Sequence, residues 1–318
     1  MATVGVDLGG TKCLGVLLDD GGSIVAEARR ATPQGAERVA ETLLRVIEEL
    51  VGTTGAGTTT GVGVGVPGLV DRQGRLRFAP NLPGVRELDV AEVLGVRLGL
   101  PVVVENDASC AAWAERCLGA GAGVDDMILV TLGTGIGGGL VLGGRLYTGA
   151  NGFAGEIGHM IVDPAGPACP CGQRGCWEQF ASGNGLGRLG REAAAAGTAP
   201  RLTVLAGGDP DAVRGEHVSA AFAEGDPGAA EVMATYAFHV GLGLANLANI
   251  FDPSAFVLGG GLVEMGDALF DPVRRAFTSL VEAADHRPPV AIVAAALGED
   301  AGAVGAGLLA RGIGGSCT

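Results

Sequence analysis

Three of the seven cysteines stand within eight residues, in Cys169-Pro-Cys171-Gly-Gln-Arg-Gly175-Cys176, and His159 precedes them at the end of Glu156-Ile-Gly-His159. The pattern H-x9-C-x-C-x4-C gathers three thiols and an imidazole, the donor set of a tetrahedral zinc centre with metal–ligand distances of about 2.0–2.3 Å. Four protein ligands leave no position for water, so such a zinc would be structural. The spacing is not that of a common zinc finger, and free thiols or one disulfide are the other readings of these residues. Glycine and proline between the cysteines suit a loop folded about a metal. That folding would carry Glu156 and Glu178, which bracket the loop, to one edge suited to a polyhydroxylated ligand.

Two further stretches have the chemistry of phosphate binding. Asp7-Leu-Gly9-Gly10-Thr11-Lys12 and Leu132-Gly133-Thr134-Gly135 each join two apolar runs. Glycine turns let backbone N–H groups approach phosphate oxygens because no Cβ intervenes, and two such turns could hold one phosphate chain. Taken singly, either is equally well a plain hairpin turn. The sequence contains no G-x-x-x-x-G-K-[ST] loop, which excludes a P-loop enzyme, and the G-x-G-x-x-G fingerprint fails at Gly133-Thr-Gly135, which leads into glycines and a strand instead of a helix. Lys12 is the only lysine and a candidate phosphate contact. In Pro101-Val-Val-Val-Glu-Asn106-Asp107-Ala108 an apolar strand runs into a helix, and the aspartate there is either an N-cap or a functional acid.

Positioning these groups takes an α/β scaffold. Residues 3–6 and 13–18 form one strand pair around the first glycine turn, and 127–132 and 140–142 form another around the second, which suggests an internal duplication. Residues 33–51 carry Val39, Leu43, Leu44, Ile47 and Leu50 at helical spacing. Residues 62–66 read as a strand, 90–98 as a helix and 235–249 as a nearly uncharged, buried helix. Strand 255–258 leads into Gly259-Gly260-Gly261, strand 290–296 follows, and a small-residue helix spans 301–310.

At 318 residues, 47% hydrophobic and 18% charged, the composition is that of a compact two-domain enzyme. The 58 glycines are more than twice the usual share of about 7%, and are expected in loops. A formal net charge of −14 argues against a nucleic-acid partner, which needs clustered Lys and Arg. Residues 127–144 lack charge but hold too many glycines for a membrane helix. No secretory signal is read, so a cytoplasmic location is expected, with Cys13, Cys110, Cys117 and Cys317 as free thiols.

Glu156-Ile-Gly-His159 with Cys169-Pro-Cys171-Gly-Gln-Arg-Gly175-Cys176-Trp-Glu178 resembles the signature of the ROK family of bacterial sugar kinases and sugar-responsive repressors, and matching motifs extend from residue 5 to residue 261. The resemblance implies an actin-like ATPase (ribonuclease H-like) α/β fold, with two lobes of mixed sheets flanked by helices around an interdomain cleft. One domain would cover residues 1–107, rejoined by a C-terminal helix over 300–318, and the other residues 108–299, with the zinc loop at 159–176. It implies ATP, Mg2+ and structural Zn2+ as cofactors and glucose as substrate, phosphorylated at its 6-hydroxyl. Asp107 would be the general base. Gly68, Asn81, Asn106, Asp107, Glu156, His159 and Glu178 would contact the sugar, His159 also holding the metal with Cys169, Cys171 and Cys176. Asp7 would orient the magnesium, Gly9, Gly10, Thr11, Lys12, Gly133, Thr134 and Gly135 would cradle phosphates, and Gly259, Gly260 and Gly261 would lie by adenosine. Members are commonly dimers or tetramers. Other hexoses or polyphosphate as donor are alternatives. A repressor is disfavoured, since the first phosphate hairpin begins within five residues of Met1 and leaves no room for a helix-turn-helix.

Overall fold

The structure is a computed structural model that describes residues 2–54 and 58–312. The chain opens with β1 (Ala2–Leu8), β2 (Lys12–Leu18), β3 (Ile24–Ala31), α1 (Ala36–Thr54), β4 (Thr59–Val66), β5 (Leu69–Val70), β6 (Arg75–Phe78), β7 (Arg86–Asp89), α2 (Val90–Leu98), β8 (Val102–Asn106) and α3 (Asp107–Leu118). There follow β9 (Met127–Leu132), β10 (Ile136–Leu142), β11 (Arg145–Leu146), α4 (Glu178–Ala181), α5 (Gly183–Ala195), α6 (Pro200–Leu205), α7 (Gly215–Ala223), α8 (Pro227–Phe251), β12 (Ala255–Gly259), α9 (Asp267–Leu280), β13 (Ala291–Ala294) and α10 (Ala301–Leu309). Two five-stranded sheets have the same internal order, β3-β2-β1-β4-β8 and β11-β10-β9-β12-β13. That is the duplication suggested by the two glycine-tipped hairpins. A three-stranded antiparallel sheet, β5-β6-β7, completes the strands.

Two compact units emerge. One comprises Met1–Leu129, Gly138–Gly155 and Ala295–Thr318, the other Val130–Gly137 and Glu156–Ala294. This division differs from a cut after residue 107, because α3 packs along α10 and stays with the first unit.

In the first unit the central sheet separates two kinds of packing. The stripe Val39, Leu43, Leu44, Ile47 and Leu50 of α1 is buried against Val4, Val6, Leu8, Val62, Val64 and Val66. The opposite face alternates out of phase and is nearly empty: Gly5 pairs with Gly63, and Asp7 with Gly65. A Cβ on Gly63 would overlap the Ala306 carbonyl, and one on Gly5 the Ala303 carbonyl, so α10 lies directly on strand backbone. Glycines are therefore also packing surfaces within strands, besides the many that sit at positive φ in turns as expected. The C-terminal helix ends at Leu309, and residues 313–318 of the span 300–318 lie outside the described residues, Cys317 with them. Cys13 and Cys110 are buried free thiols as expected, whereas Cys117 is engaged in a disulfide.

In the second unit α8 is the central support. Trp177 is fully buried, its indole packing where a side chain on Gly243 would stand and its Nε1 donating to the His239 carbonyl at 2.8 Å. The Tyr236 hydroxyl donates to the Ala181 carbonyl at 2.8 Å. Both bonds fix α4, which follows the cysteine loop. Among the described residues no helix is long and apolar enough to cross a membrane.

Replacing Gly63 by alanine should destabilise the protein by about 1–3 kcal/mol or more, since rigid backbone must move. Gly52→Ala, inside α1 with nothing within 4 Å of the added Cβ, should instead stabilise by up to about 1 kcal/mol. Denaturant unfolding of the two variants checks the contrast.

Candidate functional site

The loop after Glu156 folds on itself as a short ribbon. Ile161 bridges Cys176, Ala168 bridges Arg174, and Val162 N–H donates to the Gly175 carbonyl at 2.9 Å. Gly175 has φ +70°, and a side chain there would collide with the Asp163 carbonyl, so the ribbon closes only with glycine at this position. Its closure brings the ligand atoms of His159, Cys169, Cys171 and Cys176 within 4.8 Å of one another. Cys171 Sγ and Cys176 Sγ are 3.6 Å apart, and Cys169 Sγ is 3.8 Å from His159 Nδ1. The edge of a tetrahedron with metal–sulfur bonds of about 2.3 Å is about 3.8 Å, so these four groups fit a structural zinc. Nδ1 is then the metal-facing nitrogen, while Nε2 stands 3.9 Å from Glu156 Oε2.

The two acids do meet the loop at one edge. Glu178 Oε1 is 3.1 Å from Cys169 Sγ and 3.9 Å from His159 Nδ1. Burial pushes the Glu156 carboxyl up, His159 draws it down, and the Glu178 charge pushes it up further. The two glycine turns of this unit are also neighbours: Gly260, at φ +87°, would place a Cβ 2.5 Å from the Leu132 carbonyl oxygen, and Gly183 N–H donates to the Gly133 carbonyl at 2.7 Å.

In the first unit, Asn106 and not Asp107 is the N-cap of α3, its Oδ1 accepting from Ser109 N–H at 3.0 Å. Asp107 opens the helix and accepts from Ala108 N–H at 2.8 Å. The capping alternative for the aspartate is thereby answered by its neighbour. Asn106 Nδ2 donates to the Gly68 carbonyl at 3.2 Å, and Gly68 itself, at φ +98°, has no room for a side chain beneath Phe78. The backbone of Asn81 lies against Gly10, where a Cβ would stand 3.1 Å from the Asn81 carbonyl oxygen. The first glycine turn is held by Gly9 N–H to the Lys12 carbonyl at 2.8 Å and by Thr32 Oγ1 to the Gly9 carbonyl at 2.7 Å. Lys12 turns its ammonium onto Glu299, at 2.6 Å, and Arg29 shares that carboxylate at 3.0 Å.

Sequence reasoning missed Glu105. Register places Asp7, Gly65 and Glu105 on one rung of the sheet, so both carboxylates project on the face covered by α3 and α10, with no side chain between them. Burial pushes Asp7 up to about 6, opposed by Lys12, and Glu105 up to about 7, opposed by the N–H of Asn106. Gly302 stands beside Asp7, where a Cβ would be 2.8 Å from Asp7 Cγ. The parity of the run Val-Val-Val-Glu-Asn against Gly-Val-Gly-Val carried this information, but only strand pairing makes it readable.

A family model described as the ROK family matches residues 3–313. The chain is 42% identical over 312 residues to a glucokinase of Streptomyces coelicolor, covering 97% of each sequence. Its structure is similar to that of a ROK family glucokinase from Streptomyces griseus in complex with glucose and AMPPNP, with TM-score 0.83 and 42% identity over 98% of this chain and 99% of that one. It is also similar to a ROK hexokinase from Thermus thermophilus, with TM-score 0.80 and 39% identity over 98% of both chains. The α/β fold of these structures, the actin-like ATPase fold, is the fold of this chain.

Elemental analysis should find about one zinc per chain, lost together with thermal stability in Cys171→Ala. In Glu105→Gln without divalent cations, the pH dependence has a defined sign. The folded-state carboxyl titrates near 7 against an unfolded value of 4.5, so ionisation destabilises the folded form as pH rises through this window. The variant should therefore gain stability relative to wild type between pH about 4.5 and about 7, and the difference should level off above and below. Urea unfolding across this range would give a flat difference if Glu105 were solvated.

Proposed function

The chain belongs to the ROK family, and from that premise we infer that it is an ATP-dependent glucokinase, moving the γ-phosphoryl group of ATP to the 6-hydroxyl of glucose and releasing glucose 6-phosphate and ADP. The observation that carries this reading is the full-length likeness to an enzyme seen with glucose and AMPPNP. The side-chain geometry within each unit supports it.

Phosphoryl transfer asks the protein to position the reactants and offset charge more than to form bonds. Asp107 takes the proton of the 6-hydroxyl as O6 bonds to the γ-phosphorus, and the bond to the bridging oxygen breaks with its electron pair leaving on ADP. The rigid start of α3 holds that carboxylate, and Asn106, anchored at Gly68 and Ser109, presents its amide to a neighbouring hydroxyl. Asn81, Glu156, His159 and Glu178 complete the sugar contacts. His159 commits Nδ1 to the metal, which fixes its tautomer and leaves Nε2 for a hydroxyl.

Gly9, Gly10 and Thr11 with Gly133, Thr134 and Gly135 take the phosphates, and Gly259, Gly260 and Gly261 the adenosine side. Asp7 is the carboxylate for the magnesium and its waters. Its burial beside Gly302 pushes its carboxyl up to about 6, and a bound cation would favour the charged form. Lys12, paired with Glu299, contributes through the positive potential of the turn. A homo-oligomer, dimer or tetramer, in the cytoplasm completes the proposal.

Asp107→Asn should lower kcat by about 10²–10⁴ while leaving equilibrium binding of glucose largely intact. A coupled assay with calorimetry checks both. Rates across a panel of hexoses, with ATP and with polyphosphate, test the substrate assignment, and a profile without preference for glucose and ATP would overturn it.

A further inference from the structure

Glu178 touches two things at once. Its Oε1 lies 3.1 Å from Cys169 Sγ in the Cys3His cluster, and its Oε2 occupies the space beside Gly135, where a Cβ would stand only 2.8 Å away. One carboxylate thus spans from the metal loop to the second glycine turn.

The backbone repeats the connection. Ser182 Oγ donates to the Glu178 carbonyl at 2.6 Å, and the following residue, Gly183, donates its N–H to the Gly133 carbonyl at 2.7 Å. The segment from Glu178 to Gly183 therefore grips both ends of the turn, Gly133 through the backbone of Gly183 and Gly135 through the side chain of Glu178. Nor is α4 free to slide and absorb a displacement. Trp177 and Tyr236 tie it to α8 on the far side, with hydrogen bonds of 2.8 Å each.

A cation in the cluster fixes where Cys169 Sγ stands. Metal binding replaces the thiol proton of Cys169, so the bond that Sγ donates to Glu178 Oε1 at 3.1 Å is lost when the cation arrives, and with α4 held, the part that must move is the carboxylate beside Gly135. We propose that Glu178 is a positioning residue through which occupancy of the His159, Cys169, Cys171 and Cys176 cluster sets the conformation of the Gly133–Gly135 turn and hence the affinity for nucleotide. The proposal rests on the kinase reading, which assigns phosphates to this turn, and adds a coupling of the metal loop to the nucleotide. Gly135 is glycine, in this account, because any side chain there would evict Glu178.

Binding couplings are reciprocal, so nucleotide must tighten metal binding by the same factor by which metal tightens nucleotide binding. The test starts from the full-length, zinc-loaded chain. Zinc affinity is measured by competition with a chromogenic chelator, with and without saturating AMPPNP and Mg2+, in wild type, Glu178→Ala and Gly135→Ala. AMPPNP should tighten zinc binding about 5- to 20-fold in wild type. The ratio should fall to about one in Glu178→Ala, where the span is cut, and in Gly135→Ala, where the carboxylate is displaced. A wild-type ratio of one overturns the proposal, as does an undiminished ratio in Glu178→Ala. Calorimetry of AMPPNP on the same loaded protein separates the two levels. No nucleotide binding at all would overturn the kinase reading and this coupling together, whereas binding with a ratio of one overturns the coupling alone.

Discussion

Close approach of backbone to backbone, made possible by missing side chains, is the constraint on which the first unit depends. Gly5 and Gly63 clear one face of the central sheet so that α10 rests on strand backbone, and Gly305 does the same where α10 meets α3 at Cys110. Dispersion between closely packed groups and the burial of Val304 and the alanines around it hold the layers together. The polar end of this face is a consequence. Asp7 and Glu105 are carried under the same helices by strand register, and their carboxyls lose solvent because the helices come so near. Desolvation favours the neutral form. The push of both carboxyls toward the neutral form is thus a by-product of how tightly the helix packs.

The second unit solves a different problem, that of holding an irregular loop without a core of its own. Its ribbon has few apolar side chains, and four convergent ligands stand where a hydrophobic cluster would be expected. The exit from the loop is then fastened to the long helix α8 through Trp177. Rigidity reaches the acids Glu156 and Glu178 from both sides, since one precedes and the other follows the ligands. Directional hydrogen bonding needs groups held to a few tenths of an ångström, and the proposed sugar contacts at Glu156 and Glu178 would draw that support from such an edge.

Several of the predicted contact groups hold one another in place or rest on backbone. Asn106 is steadied by Gly68, Gly68 by the space under Phe78, and Gly135 is paired with Glu178. The glycines are in this sense part of the site, although none of them carries a functional group.

The sequence by itself determined the ligand set of the metal loop, the two glycine-tipped hairpins, the amphipathic α1 and the strand-to-helix position of Asn106-Asp107. These are local facts: thiols close in sequence must be close in space, period-2 and period-3.6 patterns reveal which face is buried, and a short turn fixes its own geometry. It did not reveal Glu105, the pairing of Lys12 with Glu299, the transfer of the capping role from Asp107 to Asn106, or the glycine face beneath α10. Those depend on which strands lie side by side and on a helix returning from nearly three hundred residues downstream, and a carboxylate acquires its environment only when that helix arrives. Residue type sets what a side chain is able to do, while the neighbours that strip away its water and fix its direction are chosen by the tertiary fold.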